Sequence, residues 1–366
     1  MKLSVLQQDL LPPLQAVSRS VGIKSTLPVL DNIFLSAQGG KLKIAATNLE
    51  IGVIKQISAD ITEEGEITIP ARTIVELVSG LGPNKIELES KEEVMSVNSG
   101  KLKATINGIS ASEFPAIPQP EGKGVIFKKE ALISCSQILF SAATDEGRPV
   151  LTGILTHASN GKLDFVATDG FRLAHRQVVL PDKQAEFKSL IPKRTFEEVL
   201  RIISEDDAQE VNITTSANQN QVIFTIGQTI VSSRLIEGQF PSWEKIIPTQ
   251  IVNRVVVDKD QLLKAIKLAS IFAKNEANII ILKVSEGKLL LESSAKELGS
   301  QHNEVEGQLE GEDVQVAFNA RFLQDAVSAA PATQLLIEFS GQLSAALVKP
   351  MGTEGLQYII MPVRLS

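Results

Sequence analysis

Residues 148–176 read RPVLTGILTHASNGKLDFVATDGFRLAHR. Two apolar runs, 150–156 and 162–168, flank Ser159-Asn160-Gly161. Asn-Gly between apolar runs predicts a tight hairpin, because both residues tolerate a positive φ. The pattern recurs at 27–51, LPVLDNIFLSAQGGKLKIAATNLEI. Pro28, Val29, Leu30, Ile33, Gly40, Lys41, Leu42, Ala46 and Thr47 match residues of the later stretch at a constant offset of 121, as Pro28 does Pro149. A looser copy covers 279–294, with Gly287-Lys288-Leu289 in place of Gly161-Lys162-Leu163. Three copies, each about a third of the chain from the next, imply a large internal repeat.

The repeat divides the 366 residues into three domains, 1–120, 121–250 and 251–366. Each is long enough to bury a core of its own. Proline-rich joints at 114–120 and 240–248 separate them. Each third opens with a short strand, at 2–6, 125–127 and 254–257, followed by a helix reaching about residues 20, 143 and 274. Asp9, Glu130 and Asp260 suit the first turns of these helices. After the hairpin comes a second helix with apolar residues at i, i+3, i+4 and i+7: Ile74, Leu77, Val78, Leu81; Phe196, Val199, Leu200, Ile203; Leu323, Ala326, Val327, Ala330. That spacing gives one buried face. The last third ends in a strand expected over 356–365. Two helices covering one sheet face make a two-layer α+β domain.

Apolar residues form 43% of the chain and charged residues 22%, as in ordinary globular proteins. The single cysteine, Cys135, excludes an internal disulfide and favours a reducing compartment. The start has no apolar core long enough for a signal peptide, and no run is long enough to span a membrane, so a cytoplasmic location is expected. A net charge of −7 argues against a whole-surface nucleic-acid binder.

Catalytic groups are scarce. His157, His175 and His302 lack metal-ligand spacing, Cys135 lies in an apolar helix pattern, and no phosphate-binding glycine loop or other cofactor motif is present. The basic residues carry more information. Lys264, Lys267 and Lys274 lie close to one helix face, with Lys259 just before it. Together with Lys24, Arg72, Arg194, Arg201 and Arg321 they concentrate on helices, which repetition would gather on one side. Such charges are ordinarily solvated faces. Repeated on an acidic chain, they suit a polyanion held on one side only.

The threefold repeat, Val166-Ala167-Thr168-Asp169-Gly170-Phe171-Arg172-Leu173, the Phe240-Pro241 joint and the ending Tyr358-Ile359-Ile360-Met361-Pro362-Val363-Arg364-Leu365 resemble the bacterial DNA polymerase III β subunit family, the sliding clamps. The resemblance covers the whole chain. Phe171 departs from it, standing where the family often has His, and Ser366 extends past the usual terminal Leu. The resemblance implies an α+β chain of three repeated DNA-clamp domains, two chains joining head to tail in a closed dimeric ring. Twelve helices, each ~10 Å wide, would leave a bore near ~28 Å. A duplex about 20 Å wide passes without tight contact. The implied function is a processivity factor and not an enzyme. It would encircle double-stranded DNA without sequence preference and tether the DNA polymerase III catalytic subunit, the clamp loader, other polymerases and repair proteins through short peptide motifs.

Three sets of residues follow. Lys24, Arg72, Arg194, Arg201, Lys264, Lys267, Lys274 and Arg321 would face DNA. The dimer would close between the first and third domains, through an edge strand carrying Ala104 and Ile106 and through Ile271 and Phe272, the pair matching the family's interface. The apolar chain end, Ile360, Met361, Pro362 and Val363, would line a peptide groove. The resemblance sets it against Leu151, Thr168, Gly170, Phe171, Arg172, Leu173, Pro241, Lys245, Ile246, Leu343 and Ala345, with Arg172 and Arg364 at the rim. Two other readings stand beside this one: an enzyme acting on an anionic substrate near Asp169 and Arg172, and a non-ring protein scaffold.

Overall fold

The computed structural model describes residues 1–22, 27–145, 147–216, 220–274, 277–285, 288–296 and 299–364. The chain forms two compact units. One holds Met1–Lys129 and Glu197–Leu235, the other Glu130–Phe196 and Ile236–Ser366.

The first unit has an eight-stranded antiparallel sheet that runs from the second third of the chain into the first. The strand Ile51–Ser58 pairs with Thr229–Arg234, placing Val53 opposite Val231. A five-stranded sheet ends at the edge strand Leu102–Asn107. Helices α1 (Gln7–Ser18) and α2 (Ala71–Ser79) pack on each other, and α1 also covers the hairpin strands Asn32–Gln38 and Lys41–Thr47.

The second unit repeats this plan. In its nine-stranded sheet the strand Arg172–Val179 pairs with Leu356–Ile360, joining the second third to the last. Each junction between thirds is thus a strand pair, which is why the compact units do not follow the repeat. Two further helices fall where the chain passes between units: α3 (Lys129–Ile133) begins the second unit's first stretch, and α4 (Lys193–Glu205) starts in the second unit but has most of its residues in the first. A four-stranded sheet is covered by α5 (Lys259–Ala273), which also packs on α6 (Ala320–Ala329). Asp258 caps α5 by accepting from Gln261 N–H, and Asn319 caps α6 by accepting from Arg321 N–H. Each cap satisfies a backbone donor that the helix itself cannot. The core is aromatic in places: the Phe165 and Phe196 rings meet edge to face at 5.7 Å.

The hairpin reading holds. Lys162–Thr168 pairs with Gly153–Ser159 around Asn160 and Gly161, whose φ values are +51° and +74°. Its start needs correction: Pro149–Thr152, like Pro28–Asp31, is a 3-10 turn and not strand. Proline at the first position fixes φ and has no N–H for a ladder. The first helix of the second third is shorter than expected. It stops at Ile133 and gives way to 3-10 turns at Ser134–Gln137 and Leu139–Ser141. There the Ser134 hydroxyl donates to Ala131 C=O, in competition with the helical ladder. The last strand ends at Ile360. Beyond it Met361 N–H donates to Phe171 C=O and Val363 N–H to Ala317 C=O, while Leu365 and Ser366 lie outside the described residues. Gly287 of the loosest repeat copy also lies outside them.

Candidate partner groove, basic face and edge strand

The loop after strand 162–168 is built by its own side chains. Thr168 Oγ1 donates to Arg172 C=O at 2.6 Å and accepts from Gly170 N–H at 3.0 Å. Asp169 Oδ1 accepts from the N–H groups of Phe171 and Arg172 at 2.9 and 3.0 Å. Its other oxygen accepts from Arg172 Nε at 2.9 Å. Asp169 is therefore committed to the turn and is not the catalytic acid of the enzyme reading. Gly170 has φ +91°, and a Cβ there would stand 3.0 Å from Arg148 Nη1. Only glycine fits without displacing that arginine.

Arg172 also needs correction. Instead of standing at the rim, free to meet a ligand, it is 9% exposed. Besides Asp169 it donates from Nη1 to Asp325 Oδ2 at 2.6 Å and from Nη2 to Phe140 C=O at 2.9 Å. The Phe140 and Phe322 rings flank it, 5.2 and 4.7 Å from Cζ. A buried guanidinium is tolerated only when paired in this way.

Next to it an apolar floor is assembled. Leu155, Val166, Leu173, Leu190, Ala345, Leu347 and Ile359 form one buried cluster, and Val150, Phe240, Trp243, Ile246 and Ile247 pack on it. Leu173, Ala345 and Ile246 are the members expected from sequence. The others are not: it takes the pairing of His175 with Val166 and of Leu173 with Ile359, together with strand alternation, to set Val166 and Ile359 on the Leu173 face. That alternation also corrects the chain end. Ile359 belongs to this cluster, while Ile360 is buried and pairs with Arg172 and Ala346 through its backbone. Successive side chains of a strand face opposite ways. Leu151 and Thr168 are buried as well, Pro362 and Val363 half-buried, and Pro241, Lys245 and Arg364 exposed or half-exposed. Three large apolar side chains remain open to solvent: Phe171 at 57%, Met361 at 40% and Leu343 at 64%. Met361 N–H donates to Phe171 C=O, which joins two of them, and Leu343 lies in the turn just before Ala346, which pairs with Ile360.

The basic residues separate into two groups. Arg72, Arg194, Lys264, Lys267, Lys274 and Arg321 are exposed. Of these, Arg72 pairs with Glu76 at 2.7 Å. Arg201 is the correction. It reaches Glu205 at 2.7 Å and both oxygens of Glu198, and its side chain is 17% exposed. Burial lowers its pKa, but Glu198 and Glu205 outweigh burial and hold it above the ordinary value. It is a structural ion pair. Lys259 is likewise occupied, donating to Ala330 C=O at 2.6 Å. Lys24 lies outside the described residues.

At the proposed edge, Leu102–Asn107 has a sheet partner on one side only. Ala104 is half-buried, but Ile106 is buried in its own sheet, so only its backbone faces a newcomer. On α5, Leu262, Ala265, Ile266 and Ala269 fill the core, Ile271 is exposed and Phe272 half-buried. Sequence reading misses Leu268, exposed one helical step before Ile271. Cys135 is fully buried, and burial pushes its thiol well above the ordinary range, which leaves it inert. Among the described residues no group of His, Cys, Asp and Glu could hold a metal, and no helix is long and apolar enough to cross a membrane.

Comparison with known proteins finds a match for each third of the chain. Residues 1–118, 127–242 and 244–364 match the N-terminal, central and C-terminal domains of the DNA polymerase III beta subunit. The chain belongs to the DNA polymerase III beta subunit family. The beta sliding clamp of Synechocystis sp. is 30% identical, with all of both chains covered. That of Pseudomonas aeruginosa is also 30% identical over all of both chains. A crystal structure of the P. aeruginosa DNA polymerase sliding clamp matches with a TM-score of 0.93 at 29% identity, again covering both chains completely. As a clamp of this family, the protein is a processivity factor and not a catalyst.

Proposed function

We propose that two copies of the chain join head to tail into a ring that holds duplex DNA by enclosure. The observation that carries this reading is that all three family domains run in order along the chain, which matches a clamp structure over its full length. The domains divide at the proline-rich joints, as 1–120, 121–250 and 251–366. Exposed Arg194, Lys264, Lys267 and Arg321, with Arg72 and Lys274, make passing contacts to phosphates. Such contacts carry no sequence information and permit sliding. The ring closes by strand addition at Leu102–Asn107, near Ile271 and Phe272 of the other copy. The mouth formed by Phe171, Leu343 and Met361 over the Leu173–Ala345 floor takes short apolar peptide segments. Their owners are the polymerase III catalytic subunit, the clamp loader, other polymerases and repair proteins, and the place of action is the cytoplasm. The P. aeruginosa clamp has been crystallised with griselimycin, and we take that compound as the probe for this groove. The deciding experiment loads the protein on circular DNA and then cuts the circle. Enclosure predicts retention before cutting and loss after it, whereas equal retention on both forms would refute the ring.

A further inference from the structure

We infer that helix α6 sets the partner groove from behind, with Phe322 and Asp325 as positioning residues that act through Phe171 and Arg172. The inference rests on the groove reading above. The internal repeat supplies its control. In the first third the matching loop has the same hydrogen bonds: Thr47 Oγ1 to Ile51 C=O, Leu49 N–H to Thr47 Oγ1, and the N–H groups of Glu50 and Ile51 to Asn48 Oδ1. It does this with Ile51 where Arg172 stands and Glu50 where Phe171 stands. The loop therefore folds without an arginine, and the buried cation serves something else.

What it serves is read from its partners. Asp325 holds Nη1 at 2.6 Å, and the Phe322 ring lies 4.7 Å from Cζ. The same Phe322 ring stacks on Phe171, centroids 6.1 Å apart and planes 18° apart. Phe171 C=O in turn accepts from Met361 N–H at 2.9 Å. Two of the three exposed apolar side chains at the mouth are thus referred to one helix. That helix is fixed, with Leu323, Ala326 and Val327 buried and Asn319 as its cap. A site held by such a supporting layer binds more weakly when the layer loosens, even though every group that touches the ligand is still present.

The test uses the full-length protein and griselimycin, with affinity measured by calorimetry and the dimer checked by mass. Asp325→Asn and Phe322→Leu are expected to lower affinity about tenfold, the size ordinarily seen for supporting partners. Phe322→Tyr, which keeps the stacked ring, should restore it. In a Phe171→Ala background, the further loss from Phe322→Leu should shrink to less than about twofold, since residues in contact are not additive. Faster hydrogen exchange at the Phe171 and Met361 amides should accompany the weaker binding. A lower melting temperature with unchanged affinity, or full additivity with Phe171→Ala, would overturn the positioning role. If the unaltered protein fails to bind griselimycin, the groove reading falls, and this inference with it.

Discussion

Leu49 and Gly170 hold the same place in two copies of one loop, and both have positive φ, +74° and +91°. Glycine adopts that conformation freely, whereas leucine is strained there by roughly 1 kcal/mol or more. Leu49 is also 54% exposed, so its removal gives up little burial. Leu49→Gly should stabilise the protein by about 0.5–1 kcal/mol. Gly170→Ala should do the reverse, because a side chain at φ +91° is strained, and its Cβ would also press on the Arg148 guanidinium. Denaturant midpoints of both variants check this; a destabilised Leu49→Gly would mean that the leucine has a packing role.

The two kinds of basic residue should behave differently. Replacing Lys264 and Lys267 by Glu should weaken association with DNA and flatten its salt dependence, by about 0.9 in the log–log slope for each phosphate no longer neutralised. Arg201→Ala should leave the salt slope alone and destabilise the fold, because it strands Glu198 at 14% side-chain exposure. Salt titrations of DNA retention, beside melting curves, separate the two. A changed slope for Arg201→Ala would return that residue to the DNA-facing set.

The difference between these groups marks the limit of what sequence reveals. The repeat, the hairpins and the helix faces are periodic signals, written by burial on one side, and they are legible. Arg201 looks like Arg194 in sequence because spacing shows on which element a charge sits, not which carboxylate reaches it. The burial of Arg172 is hidden for the same reason, since Asp325 lies 153 residues away. The Ile359 and Ile360 exchange is a register matter: one residue turns a side chain to the other face, and only the pairing with Arg172–Val179 fixes which. Phe322 gives no signal of its own, being one more aromatic on an amphipathic helix.

Ile271, with Leu268 behind it, forms an exposed apolar step on α5 beyond the residues that fill the core. Ile271→Ala combined with Phe272→Ala should yield a folded monomer, because neither side chain is fully buried in the chain itself. Sedimentation at micromolar concentration reads the mass, and circular dichroism confirms the fold. A dimer that survives both changes would move the interface elsewhere.

Glu338 provides a pH test. Its side chain is 7% exposed, with Arg254 Nε at 3.1 Å and Lys349 Nζ at 2.6 Å. Burial raises its pKa, but hydrogen bonds and charge from Lys349 and Arg254 outweigh burial and hold it below the ordinary 4.5. A carboxylate with a lowered native pKa is stabilising above its unfolded value and loses that stabilisation as pH falls through the native value. Glu338→Gln should therefore cost about 1 kcal/mol at about pH 7, a modest figure because both cations are largely hydrated. The gap from the unaltered protein should close as pH drops below 4.5. Urea midpoints measured across that range give the answer. A gap that stays constant on acidification would mean that the carboxylate's charge contributes nothing, and that shape alone accounts for the loss.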